Sequence, residues 1–108
     1  MNFVDLFSLS LHRAVAAKML TDEKTVLRLA KSNVDRWLGR SDFTGEGSMA
    51  LLEWESILEN STPDEIRKII SEESHEGQRL RSSSPFTGVL TQKERKEIFD
   101  ACAEIVPV

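Results

Sequence analysis

Leu80–Phe99, LRSSSPFTGVLTQKERKEIF, passes from helix to anchored turn to helix within twenty residues. Ser82, Ser83 and Ser84 compete for backbone hydrogen bonds, and Pro85 biases Ser84 away from the helical region, so the preceding helix is predicted to stop near Arg81. Phe86, Val89 and Leu90 give the turn apolar weight. Thr91 and Glu94 stand at capping-box spacing, which predicts that a last helix begins there, each side chain satisfying an amide of the other's end of the first turn. Leu90 precedes the cap, where an apolar partner four residues into the helix would complete a staple. That position is Arg95, and Ile98 is the next apolar residue available.

Working outward, the remaining segments also read as helical. Phe3, Val4, Leu6 and Phe7 come before any strong helix signal and are predicted to form a short docking segment, the alternative being a dimerising arm. Ser8 or Ser10 is the expected cap of a first helix carrying Leu11, Ala14, Val15 and Met19, with Arg13 and Lys18 outside. Thr21, followed by Asp22 and Glu23, signals a second start, after which Val26, Leu29, Ala30, Asn33, Val34, Trp37 and Leu38 recur at three and four. Asn33 on this stripe is expected to sit at its margin or bond a nearby backbone group, or otherwise to act as a polar specifier toward a partner helix. Gly39 ends the helix, and a loop over 39–48 carries Phe43 as its anchor; it lacks the lysine and the preceding strand of a phosphate-binding loop.

Ser48 is the expected cap of a helix with Leu51, Trp54, Ile57 and Leu58 inward and Glu53, Glu55 and Glu59 outward. Thr62, Pro63 and Glu65 form a second capping box with proline at its preferred first position, leading Ile66, Ile69 and Ile70. A shorter segment runs from His75 to Leu80, and Ile98, Cys102 and Ile105 share a face of the last helix. With no strand alternation and no repeat, the chain is predicted to be all-α, a single compact bundle of five to six short helices over 1–108. Its expected core is Val26, Leu29, Val34, Trp37, Leu51, Trp54, Leu58, Ile66, Ile70, Ile98 and Cys102.

The SSPF turn, the step from Gly88 to Leu90, the run Thr91, Glu94, Arg95 and the segment Leu11, His12, Arg13 together resemble a group of small uncharacterised bacterial all-helical proteins. Some of these are similar in size and composition to toxin–antitoxin components. The resemblance implies a protein partner; it implies no activity and no residue roles.

Composition bounds function. A net charge of -4 on 108 residues, split evenly as -2 before and after Asn60, argues against non-specific nucleic-acid binding and against an acidic DNA mimic. One cysteine excludes an internal disulfide, and the N-terminus, which carries Asp5 and no basic start, is neither a signal peptide nor a membrane span, so a cytoplasmic setting is expected. His12, His75 and Cys102 are far apart in the chain and lack metal-ligand spacing, and the same three exhaust the base and thiol candidates. No catalytic residue, cofactor or metal is therefore expected.

What remains is a protein-interaction or regulatory module, most simply a homodimer, with Phe3, Phe7, Phe43 and Phe86 as apolar contacts and Arg79 and Arg81 as flanking donors. The alternative is a DNA-binding or antitoxin-like regulator using a helix pair near 62–81, with Arg79, Arg81, Ser82, Ser83 and Ser84 on phosphates. Glu72, Glu73 and Glu76 at the start of its second helix oppose that reading.

Overall fold

Asn2, rather than either serine, starts the first helix: its side chain accepts the Asp5 amide at 2.8 Å, and α1 then runs from Phe3 to Leu38. In this computed structural model, which describes residues 1–40 and 46–108, Phe3–Phe7 are thus the first turns of α1, and Ser8 and Ser10 lie inside it. The start signal at Thr21 marks a kink, because Asp22 leaves helical geometry (φ -143°, ψ 48°) and the helix resumes on its far side. A straight helix of this length would run about 54 Å, against a longest molecular dimension of 39 Å. The buried positions Leu9, His12, Val15, Ala16 and Met19 precede the kink, and Val26, Ala30, Asn33 and Val34 follow it. Met19 to Val26 spans two turns, so the apolar stripe keeps its phase across the break, and both halves face one core.

The other helices are α2, Glu46–Asn60; α3, Pro63–Ser71; α4, His75–Arg81; and α5, Gln92–Ile105. Each of the four packs against α1, and α3 also packs against α4. The fold is all-α, with no strand among the described residues, but its organising element is one long kinked helix rather than a set of short ones. α2 begins two residues before Ser48. The loop expected at 39–48 falls largely on 41–45, outside the described residues, as does Phe43.

The core joins Val15, Met19, Val26, Ala30 and Val34 to Trp54 and Leu58, Ile66 and Ile70, Leu80, Phe86 and Leu90. Of the predicted core, Leu29, Trp37 and Ile98 are only half-buried, and the rest are buried. Cys102 is a free, buried thiol that donates to Ser10 Oγ at 3.4 Å.

Both capping boxes form. Thr62 accepts the Glu65 amide while Glu65 accepts the Thr62 amide, with Pro63 leading α3. At α5, Thr91 Oγ1 accepts the Glu94 amide at 3.1 Å and Glu94 Oε1 accepts the Thr91 amide at 2.9 Å. Lys18 Nζ adds a tertiary bond, donating to the same Glu94 oxygen at 2.7 Å and to the Val89 carbonyl at 3.2 Å. The Lys18 bond first, and then the Thr91 amide, hold the Glu94 carboxyl down to about 2. Thr91→Ala is expected to cost about 0.5–2 kcal/mol, because one first-turn amide loses its acceptor. An unchanged denaturant midpoint at unchanged slope would contradict that role for the cap.

Two glycines are required by their surroundings. A side chain on Gly77 would collide with the Glu72 carbonyl and stand 2.9 Å from Arg81 Nη1. Gly88 has φ +88°, the left-handed geometry that turns the loop into the α5 cap.

Candidate functional site

The Ser82–Leu90 loop is held to α1 by polar groups that the core would otherwise exclude. Asn33 is 2% exposed and donates from Nδ2 to the carbonyls of Pro85 at 2.8 Å and Thr87 at 2.9 Å, while its Oδ1 accepts from Arg36 at 2.7 Å. It bonds backbone, as one of the two sequence expectations had it, but backbone from another part of the chain.

His12 sits 20 residues N-terminal to Ser32 on the same helix and holds the other side of the loop. Its Nδ1 lies 2.7 Å from the Ser8 carbonyl and its Nε2 lies 2.7 Å from Ser84 Oγ. A carbonyl only accepts, so Nδ1 carries the proton, the Ser84 hydroxyl donates to Nε2, and the same hydroxyl accepts the Phe86 amide at 3.2 Å. This chain of bonds has the spacing of a base and a hydroxyl nucleophile, yet Ser84 Oγ is already engaged by two partners and serves to close the turn.

Burial is the main cause that lowers the His12 pKa below its ordinary 6.5, with the Arg81 charge adding to it and the Ser8 bond opposing it. The unfolded chain therefore takes up this proton before the folded one does. Its contribution to stability is complete above about pH 6.5 and declines as the pH falls below that toward the lowered folded value. The loss of denaturant midpoint between pH 7.5 and 5.5 is expected to shrink in His12→Gln; an identical loss in both proteins would remove His12 as its source.

The predicted contact residues are distributed differently from the sequence expectation. Phe86 is 5% exposed and packs edge-on against Trp54, so it belongs to the core rather than to an exposed patch. Arg81 is likewise 5% exposed; its Nη1 donates to the Glu72 carbonyl at 2.8 Å, and Arg13 Nε donates to the neighbouring Ser71 carbonyl at 3.2 Å. Two guanidinium groups thus meet the negative end of α3, the favourable placement for cations. Arg79 is exposed but clamped: it forms a two-pronged pair with Glu53, both bonds 2.8 Å, and further bonds with Glu76. Those carboxylates raise its pKa. Ser82 donates to the Arg79 carbonyl at 2.6 Å and Ser83 to the Leu80 carbonyl at 3.5 Å. Every residue of the alternative phosphate-contact set has at least one internal partner.

Phe3 and Phe7 do come together, and Phe99 completes the group. Phe3 stacks on Phe7 with centroids 5.7 Å apart, and Phe99 meets both edge-on at 4.9 and 5.4 Å. Phe99 remains 37% exposed, and Val4, next to Phe3 in α1's first turn, and Met1, just before the helix, are 71% and 56% exposed. The sequence placed Phe99 only as a supplement to the last helix; nothing local marks a contact across 92 or more positions.

The same loop borders a crevice of about 210 Å³, open between the first half of α1 and the start of α5, with His12, Arg81, Ser84, Phe86 and Arg95 among its walls. No cluster of three or more potential metal ligands occurs among the described residues, and no described helix is long and apolar enough to cross a membrane. No family model, curated protein or solved structure matches the chain.

Proposed function

We propose that the protein is a non-enzymatic interaction module that associates with a second copy of itself through its aromatic end. The observation that carries this reading is the Phe3–Phe7–Phe99 cluster, a rigid aromatic group left partly open at the surface beside Val4 and Met1. Aromatic residues supply large contact area at low conformational cost, and a two-fold axis lets one such patch serve both partners. Arg79 plays a different part from that expected, binding α4 to α2 rather than rimming the patch. The free Cys102, buried in α5, accords with a reducing compartment such as the cytoplasm.

Sedimentation velocity at low micromolar concentration is expected to show a species of twice the 12.2 kDa chain mass. Val4→Lys, which places a charge on an already exposed position, should return it to the monomer without changing the thermal midpoint. A wild-type protein that sediments as a monomer across the micromolar range would refute self-association.

A further inference from the structure

The crevice beside the Ser82–Leu90 loop combines two features that the fold alone does not require. One is Arg95. It occupies the fourth position of α5, where an apolar staple partner would ordinarily sit, and it lies near the positive end of that helix, where a cation is disfavoured. It is exposed and forms no ion pair among the described residues. The other is Arg81, a nearly fully buried guanidinium that also has no ion-pair partner among the described residues. Its one hydrogen bond, to Glu72, uses only Nη1 of a group with five N–H donors. No fully buried side-chain nitrogen or oxygen among the described residues lacks a partner, so the unused nitrogens of Arg81 are not sealed from solvent. Arg81 borders this crevice and a second one toward Glu73 and Gln78; only the first also has Arg95 on its wall.

The rest of the lining sets the chemistry. Leu11, Val15 and Leu90 supply apolar lining, and Ser82 and Thr87 supply polar lining. His12 adds no cation, because its Nε2 is spent on Ser84. The first-turn amide that would help to cradle a phosphate is taken by Thr91, and the Glu94 carboxylate next to Arg95 disfavours a second negative charge. A volume near 210 Å³ admits a ring or a short alkyl chain and falls below the ~300–1,000 Å³ typical of pockets for larger ligands.

We propose that this crevice binds a small amphipathic carboxylate, with Arg95 and Arg81 facing its charge and Leu11, Val15 and Leu90 its apolar body. The inference is independent of self-association.

The test is a heteronuclear NMR titration of the full chain with benzoate, benzyl alcohol and inorganic phosphate, repeated on Arg95→Gln. Arg95 is exposed, so the variant is expected to keep the wild-type thermal midpoint, which is measured alongside. Benzoate should produce saturable shifts at Ser84, Thr87 and Arg95 in the millimolar range or below. Arg95→Gln should weaken it about tenfold through loss of a charge-assisted contact, and benzyl alcohol should bind at least as weakly. Absence of saturable shifts, equal affinity in Arg95→Gln, equal affinity for the alcohol, or phosphate binding as tightly as benzoate would each overturn the assignment.

Discussion

Trp54→Ala is expected to be the most damaging single substitution in the core, at about 3–5 kcal/mol. Trp54 is fully buried, its Nε1 donates to the Leu80 carbonyl at 2.9 Å, and its ring meets Phe86 edge-on at 5.7 Å. Truncation opens a cavity among α2, the end of α4 and the loop, and it removes one of the donors to the Leu80 carbonyl. For a domain of this size roughly 1 kcal/mol corresponds to 4–8 °C in midpoint, so the loss removes much of a typical margin of about 5–15 kcal/mol. Trp54→Phe separates the two contributions. It keeps an aromatic ring against Phe86 and removes only the indole bond to the Leu80 carbonyl, which still accepts the Ser83 amide at 3.3 Å, a cost of about 0.5–1.5 kcal/mol. Chemical denaturation of both variants measures the difference, and a loss below 1 kcal/mol in Trp54→Ala would show that the site collapses without consequence.

Asn33 has the second largest expected effect. Asn33→Ala removes both donors that hold the loop: the Pro85 carbonyl is buried and stays bare, whereas the Thr87 bond is partly exposed and its carbonyl can turn to water. The expected loss is about 2–4 kcal/mol. Asn33→Asp is a sharper test because shape is preserved and only the donor is changed. In an Arg36→Gln background, which removes the guanidinium that donates to Oδ1 at 2.7 Å, an ionised carboxylate would face two carbonyl oxygens, so burial and the missing bonds hold its folded pKa above the ordinary value of about 4. A raised folded pKa means that the deficit of Asn33→Asp in this background, relative to Arg36→Gln alone, is smallest below about pH 4 and grows as the pH rises through the folded value. A deficit independent of pH would mean that the loop carbonyls do not face residue 33 as described.

The structural role of the SSSPF loop divides along the same lines as these two predictions. Its entry and exit were legible: Pro85 ends the preceding helix near Arg81, and Thr91 with Glu94 begins the next. Its attachment was not, because Asn33 lies 52 positions before Pro85 and His12 lies 72 positions before Ser84. The clue available for His12 was its place on the stripe Leu9, His12, Ala16, Met19, where helical spacing points a polar residue into the core. The expected inward face of Leu11, Ala14, Val15 and Met19 holds Val15 and Met19 correctly but left out His12.

Charge was the least legible property. Arg79 and Arg81 stand two residues apart in α4, yet one is clamped between Glu53 and Glu76 at the surface and the other is buried against the end of α3. Lys18, read as solvent-facing, instead reaches Glu94 from 76 positions away and joins α1 to the α5 cap. Sequence distinguishes a cation from a carboxylate but carries no distance between them, and the energy of the pair depends on that distance and on burial.

The sequence by itself determined the all-α class, the ends of α3, α4 and α5, both capping boxes and the burial of Trp54, Ile66, Ile70 and Cys102. These follow from bonds spanning three or four residues and from side-chain periodicity, which are properties of a local stretch. Tertiary structure decided that Thr21–Glu23 is a kink rather than a boundary, that Phe86 is core while Phe99 joins Phe3 and Phe7, and that Arg81 lies inside. Each of these depends on which surfaces meet after the chain has doubled back, and a kinked α1 against which every other helix packs settles that only once all five are in place.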